Sequence, residues 1–201
     1  MTTDVIIVDQ PESGVSRITM NRPEKRNSLI HTLRGAILDT LAANDQDPDV
    51  RVTIIRGAGT CFSAGYDLGG GNEGLERPFY TPGGDGSWPR HVTEGWMGIW
   101  DLAKPVIAQV HGYCLAGGSE LATGCDLVYV AHDSTIGSPP VRFSLPDPHL
   151  LPSLIRMRSA LELLFPGHSL SRSQLVRPRP PHAPQPARTL NHDAPPLARA
   201  P

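Results

Sequence analysis

An acidic side chain that follows two glycines is the feature of this sequence that best supports chemistry. A small-residue turn is predicted over His111–Gly118, and Glu120 lies in the first turn of the short helix predicted after it, just after Gly117 and Gly118. Backbone amides at a helix N-terminus have no partners within the helix and point outward as donors. Because glycines let a ligand approach such amides closely, the pattern predicts a place that holds a developing negative charge beside a carboxylate.

A second turn of this kind lies upstream. Val52–Arg56 is a short β-branched run followed by Gly57 and Gly59 and is predicted to be a central strand. A small-residue turn follows it and contains Gly65, Tyr66 and Asp67. If the two turns face each other, two backbone N–H groups converge on one oxygen. That arrangement is an oxyanion hole, which stabilises a transition state in which negative charge develops on that oxygen.

Three separated segments of the sequence resemble the crotonase superfamily, the enoyl-CoA hydratase/isomerase family. They are Asn21–Leu29, Phe62–Leu68 and His111–Ala122, in the order the family has them. The likeness runs from about residue 5 to about residue 173. It implies an α/β fold of the crotonase-like (ClpP/crotonase) type, a spiral of ββα units, here with an incomplete C-terminal helical part. The implied domains are an acyl-CoA-binding domain over 1–173 and a Pro-rich disordered tail over 174–201.

The resemblance also assigns roles to individual residues. It implies that the carbonyl oxygen of an acyl-CoA thioester lies between the N–H groups of Tyr66 and Gly117, and that Glu120 is the first of two catalytic glutamates. It implies that coenzyme A enters as a thioester substrate, with no further cofactor. His, Asp and Cys show no metal-ligand spacing, so no metal is expected. The segments that match the family's CoA-binding surface are Lys25, Arg26, Ser28, Leu29, Ala64, Gly65, Asp67 and Leu68.

The second catalytic glutamate of the hydratases has no counterpart in this sequence. When the segment is aligned on Gly137 and Pro139, its position holds Pro140, which has no side chain that exchanges a proton. Arg142 and Asp147 are the nearest polar candidates. The leading hypothesis is therefore an acyl-CoA enzyme of the hydratase/isomerase type that stabilises a thioester enolate. The alternative is an inactive member that at most binds acyl-CoA.

Several residues have a structural interpretation beside the functional one. Glu120 also suits the favourable end of a helix dipole, Asp67 suits a residue that stabilises its own turn, and His111 suits a structural hydrogen bond. Trp88, Trp96 and Trp100 line an acyl pocket in one interpretation, and in the other Trp96 and Trp100 form the core face of one helix.

The remaining pattern predicts the elements that position these residues. We expect a hairpin of residues 5–8 and 15–20, a helix over 28–43, and strands at 106–110 and 127–130. Alternation of strands and helices to residue 137 indicates parallel βαβ units. A Gly/Pro-rich loop spans 69–89, and a further helix is expected over 154–165. Beyond about residue 173 the chain is rich in proline and lacks aromatic residues, which indicates either a disordered tail or a truncated or frame-altered end.

Composition limits the classes of function. The 201 residues carry a formal charge of −2, which gives no reason to expect nucleic-acid or membrane partners. The cysteines, Cys61, Cys114 and Cys125, lie in predicted core segments, and we expect reduced thiols and a cytoplasmic location. Family resemblance implies a homotrimer.

Overall fold

Two β-sheets and two helices organise the part of the chain that the structure describes. The computed structural model describes residues 4–69, 95–137 and 169–171. Helix α1 spans His31–Gln46 and helix α2 spans Gly117–Gly124. The strands are β1 Ile6–Glu12, β2 Val15–Met20, β3 Val52–Gly57, β4 Val106–Val110, β5 Tyr113–Leu115, β6 Leu127–Val130, β7 Thr135–Gly137 and β8 Ser169–Ser171.

The larger sheet has the strand order β1-β2-β3-β4-β6. Strands β1 and β2 form the predicted antiparallel hairpin, and β2, β3, β4 and β6 are mutually parallel. Ile18, Ile55 and Ala108 are register partners across three of these strands, and all are fully buried. Because side chains alternate along a strand, this row faces the core while the next row faces outward. The prediction of parallel βαβ units is confirmed.

The smaller sheet contains a strand, β5, that the sequence did not predict. Its strand order is β5-β7-β8, with β5 and β7 parallel. Strand β5 lies inside the segment 111–118 that was predicted to be a simple turn, so that part of the prediction was wrong. Three residues are too few for an apolar alternation to stand out. Pairing with β7 supplies the hydrogen bonds that make the segment a strand.

Helix α1 begins three residues later than predicted. Leu33, Ile37 and Leu41 are buried against the sheet, as their spacing predicted. The preceding residues are extended because Leu29 forms an isolated parallel bridge with Tyr66. The helix continues past residue 43 to Gln46, since the first proline after it is Pro48.

The observed strand bounds agree closely with the predicted ones except in the first strand of the hairpin. The bounds of β2, β4 and β6 are those predicted, and β3 extends one residue further, to Gly57. Strand β1 starts one residue late and continues to Glu12, into residues expected to be the turn. An irregularity in register between Asp9 and Glu12 accommodates this extension.

Some predictions concern parts of the chain outside the described residues. They are most of the loop 69–89, with Trp88; the segment with Pro140, Arg142 and Asp147; the helix over 154–165; and the tail 174–201. Within the described residues no helix is long and apolar enough to cross a membrane. The cysteines Cys61, Cys114 and Cys125 are all buried and free, as expected for reduced thiols.

A buried asparagine joins the loop before α1 to the loop after β3. The Asn27 amide nitrogen donates to the carbonyls of Ala58 and Cys61, each at 2.9 Å. Its amide oxygen accepts from the backbone N–H of Arg22 at 3.0 Å. Asn27 is fully buried and has a φ of +52°, in the left-handed region that asparagine tolerates better than most residues.

We expect Asn27→Ala to destabilise the protein by about 2–4 kcal/mol, because it leaves buried backbone groups without partners and strains a left-handed position. Chemical denaturation monitored by circular dichroism measures the loss.

Gly35→Ala is the control, since an added Cβ at this position in α1 meets nothing within 4 Å. It should stabilise by roughly 0.5–1 kcal/mol. An Asn27→Ala protein as stable as the unmodified chain would contradict the structural role of this amide.

Candidate active site

The two turns that the sequence singled out lie against each other. Ser63 and Cys114 form a parallel bridge. The Ser63 N–H donates to the Tyr113 carbonyl, and the Leu115 N–H donates to the Ser63 carbonyl, both at 3.0 Å. The turn after β3 is therefore paired with β5, the strand that leads into α2. This pairing places Tyr66 beside the start of that helix.

Glycines allow the two backbones to touch. Gly65 has a φ of +101°, and a Cβ added to it would lie 2.8 Å from the Leu115 carbonyl oxygen and 3.5 Å from the Gly117 nitrogen. A Cβ on Gly118 would lie 2.8 Å from the Ser63 carbonyl oxygen. Contacts under 3 Å leave no room for a side chain, so this approach requires glycine. The backbone amides of residues 66 and 117 thus belong to adjoining segments, as the oxyanion-hole hypothesis requires.

The residue before α2 has an unusual backbone. Ala116, the N-cap, has φ +47° and ψ −122°, a conformation that L-residues rarely adopt. Its carbonyl accepts the Glu120 N–H at 3.0 Å, and its own N–H donates to the Gly137 carbonyl at 2.8 Å. Strained backbone of this kind persists only where surrounding contacts hold it, and it occurs often at functional sites.

Glu120 is buried at the first turn of α2, with 7% of its surface exposed. The Tyr66 hydroxyl donates to its Oε2 atom. The Trp96 indole Nε1–H in turn donates to the Tyr66 hydroxyl oxygen at 3.1 Å. Burial, and then the negative charge of Glu120, raise the pKa of Tyr66 well above its usual value. Tyr66 therefore keeps its proton at neutral pH and serves Glu120 as a hydrogen-bond donor.

The ring of Tyr66 contacts two further groups. It covers Gly117, where an added Cβ would lie 2.5 Å from the ring's Cζ atom. The Arg34 guanidinium carbon lies 5.8 Å from the ring centroid, within the range of a cation–π contact. The backbone and side chain of residue 66 both belong to the site. The sequence had pointed only to the backbone N–H of Tyr66.

Arg34 and the role of Trp96 were missed in the sequence. Arg34 is buried on α1. A signal was present, because Arg34 falls between Ile30 and Ile37 at helical spacing and so lies on the apolar stripe. A charged residue on a buried stripe points to a polar partner inside. For Trp96 no sequence signal identified Tyr66 as its partner, since the contact spans 30 residues.

The two segments assigned to coenzyme A by resemblance pack side by side. The Ala64 N–H donates to the Arg26 carbonyl at 2.9 Å, and the Leu29 N–H donates to the Gly65 carbonyl at 2.8 Å. Lys25 and Arg26 are exposed, Leu29 is fully buried, and Leu68 is 79% exposed. Ser28 and Ala64 are half-buried, and Gly65 is buried. Their contact with coenzyme A stays a prediction.

Asp67 has a structural role in this arrangement. Its carboxylate accepts hydrogen bonds from both terminal nitrogens of Arg22, from the Ser28 hydroxyl at 3.0 Å, and from the Gly69 N–H at 2.9 Å. The Gly69 N–H, followed by Ser28 and Arg22, holds the pKa of Asp67 below its usual value. Asp67 thus stabilises its own turn, and Ser28 is committed to the same cluster.

Two other residues considered in the sequence, His111 and Trp100, have no hydrogen bond to Glu120 among the described contacts. His111 Nε2 lies 3.1 Å from the Gly59 carbonyl oxygen, which fits the structural hydrogen bond that was expected. Trp100 is 42% exposed, so the alternative in which Trp96 and Trp100 share one core face was wrong. The short 3-10 turn Gly98–Asp101 rotates the second indole outward. Among the described residues no cluster of three metal-ligating side chains occurs.

A groove of about 920 Å³ lies on the outward face of the larger sheet. Thr19, Arg56, Gln109 and Tyr129 line it, and they are register partners across four strands. Neither Glu120 nor Tyr66 lines this groove. The buried Glu120 carboxylate, beside the strained Ala116 backbone, is therefore a better candidate for proton transfer than the groove.

A comparison with known families places the geometry in context. Residues 10–172 match the family model described as enoyl-CoA hydratase/isomerase. The chain belongs to this family. The predicted superfamily and the predicted α/β crotonase-like fold are thereby confirmed.

Relatives of this enoyl-CoA hydratase/isomerase family member differ in their reactions. It is 34% identical over 184 residues to a mevalonyl-coenzyme A hydratase of Aspergillus fumigatus, with 88% of this chain and 64% of that protein covered. It is 33% identical over 136 residues to a mitochondrial Delta(3,5)-Delta(2,4)-dienoyl-CoA isomerase of Pongo abelii, with 63% of this chain and 40% of that protein covered. The chain thus spans less than two thirds of the length of these relatives.

Solved structures show the same fold. An enoyl-CoA hydratase/isomerase from Xanthobacter autotrophicus aligns with a TM-score of 0.74 and 32% identity, covering 86% of this chain and 64% of that one. An enoyl-CoA hydratase from Bacillus anthracis aligns with a TM-score of 0.72 and 29% identity, covering 85% and 66%.

We expect Gly118→Ala to destabilise this family member by roughly 2 kcal/mol, the scale of an overpacked core site, because the new methyl group would press on the Ser63 backbone. Thermal unfolding measures the change. Gly98→Ala is the control, since a Cβ there meets nothing within 4 Å. Equal stability of the two variants would show that the turns do not depend on close contact.

Proposed function

We propose that this protein binds an acyl-CoA thioester and stabilises its enolate between the backbone amides of Tyr66 and Gly117. Glu120 is the group that moves the proton. The observation that carries this proposal is the buried Glu120 carboxylate, which lies in the first turn of α2 and accepts the Tyr66 hydroxyl hydrogen bond, beside the contact of the two turns. Membership of the enoyl-CoA hydratase/isomerase family supports it.

The chemistry follows from these groups. Glu120 takes a proton from a carbon next to the thioester carbonyl, and the electron pair of the broken C–H bond moves into an enolate whose oxygen carries the charge. Two amides aimed at that oxygen lower the barrier because they stabilise charge present only in the reacting state. Return of the proton to the same carbon gives exchange with solvent. Return of the proton at a different carbon of a conjugated enolate gives a double-bond isomer.

Binding of the nucleotide portion belongs in this proposal to the surface formed by residues 25–28 and 64–68. Lys25 and Arg26 are exposed at its edge and supply positive charge for phosphate groups. The Arg22–Asp67–Ser28 cluster holds the two backbone segments together. Contacts of this kind contribute to binding equally before and during the reaction.

Hydration of an enoyl-CoA makes an additional demand. Water must be oriented and deprotonated while a proton reaches the α-carbon, which in the hydratases takes a second carboxylic acid. Pro140 stands at that position in the sequence. We therefore propose proton exchange or isomerisation as the activity, and the second candidate is an inactive member that binds acyl-CoA without turnover.

Glu120→Gln should lower exchange of the α-protons of a short acyl-CoA by ~10² or more, the scale of acid–base catalysis, with little change in thioester binding. Deuterium uptake from heavy water, followed by mass spectrometry, measures the rate. Asp39→Asn, at an exposed carboxylate of α1, is the control and should exchange at the unmodified rate.

Undiminished exchange by Glu120→Gln would remove this residue from the mechanism. Thioester binding without exchange by the unmodified protein would establish the inactive alternative. Absence of binding as well would reject the proposed function altogether.

Pro140→Glu should raise hydration of a short 2-enoyl-CoA above the low rate expected of the unmodified protein, because it restores a second carboxyl group. Loss of enoyl absorbance measures this reaction. Pro140→Gln is matched in size but exchanges no proton, and it should remain at the low rate. Fast hydration by the unmodified protein would show that another residue supplies the second group.

A further inference from the structure

The contacts of Tyr66 form a chain with a defined direction. An indole Nε1–H donates hydrogen bonds and accepts none. The Tyr66 oxygen must therefore accept from Trp96, at 3.1 Å. The single hydrogen of the phenol then remains for Glu120 Oε2, to which the hydroxyl donates. When Glu120 is a carboxylate it has no hydrogen of its own, so no other direction satisfies both contacts.

This direction places Glu120 Oε2 opposite the Tyr66 hydroxyl, where the oxygen uses a lone pair to accept the hydrogen bond. The chain also restrains rotation of the carboxylate plane, since Trp96 is 1% exposed and gives the phenol a fixed neighbour.

We propose that Trp96 and the Tyr66 phenol are positioning residues that orient Glu120 through this directional chain. This inference rests on the proposed function. It adds a side-chain task to Tyr66 that is separate from its backbone amide. It also gives Trp96, which has no other described polar contact, a part in the reaction.

Residues that orient a reacting group through a hydrogen bond commonly contribute about 10–100-fold to its activity, as is documented for residues hydrogen-bonded to metal ligands. The contribution here lies in geometry, so it affects turnover more than binding. Tyr66→Phe removes the hydroxyl and keeps both the ring over Gly117 and the backbone N–H. The phenol is therefore tested without removing the proposed oxyanion donor.

The test compares deuterium exchange of a short acyl-CoA by Tyr66→Phe, Trp96→Phe and the double variant. Tyr66→Phe should lower kcat by about 10-fold or more and leave KM within about 2-fold. Because both residues act through one chain, the double variant should be no slower than Tyr66→Phe alone. Tyr129→Phe, at an exposed tyrosine, is the control and should match the unmodified protein.

Two kinetic outcomes would overturn the inference while leaving the proposed function in place. One is exchange by Tyr66→Phe at the unmodified rate. The other is a double variant whose loss is the product of the two single losses, which is what independent packing defects produce. Circular dichroism and thermal unfolding accompany each variant, so that loss of folded protein is recognised.

A second measurement tests the hydrogen-bond chain even if the unmodified protein shows no exchange, an outcome that would rule out the proposed proton exchange but not the chain. In protein labelled with 15N-tryptophan, the indole signal of Trp96 is assigned by its disappearance in Trp96→Phe. This signal should shift upfield in Tyr66→Phe, where the acceptor is lost, and to a lesser extent in Glu120→Gln, where the charge that polarises the phenol is lost. An unmoved signal in both variants would overturn the chain.

Discussion

The site depends on direct contact between the backbones of two turns. Gly65 and Gly118 leave no room for a Cβ where each meets the other turn, and the Ser63–Cys114 bridge holds the turns in register. The two backbone segments are therefore in direct contact. The larger sheet delivers the first turn at the end of β3, and the second turn follows β4.

Burying a carboxylate beside this contact costs free energy unless it is hydrogen-bonded. Tyr66 meets that requirement from the opposite turn, and Trp96 fixes the phenol. The polar interior therefore couples the two turns a second time, through side chains. An arrangement of this kind holds a reactive group in one orientation, which matters more for catalysis than for the stability of the fold.

Family membership and geometry answer different questions. The match over residues 10–172 identifies the family, whose members here include both a hydratase and an isomerase by name. It does not choose between these reactions. That choice depends on the groups that can carry a proton in the site, and the described residues supply one buried carboxylate, Glu120, held by the Tyr66–Trp96 chain.

The sequence by itself determined the parallel strands, the buried face of α1 and the position of Glu120 in the first turn of a helix, because these follow from local periodicity and glycine placement. Tertiary structure decided the rest. The start of α1 was displaced by pairing of Leu29 with Tyr66, and β5 exists because β7 lies beside it. The contact of Trp96 with Tyr66 and the approach of Arg34 to the same ring also depend on residues distant in the chain. No local sequence pattern encodes such pairs, since the free energy of their contact is gained only when the fold brings the two residues together.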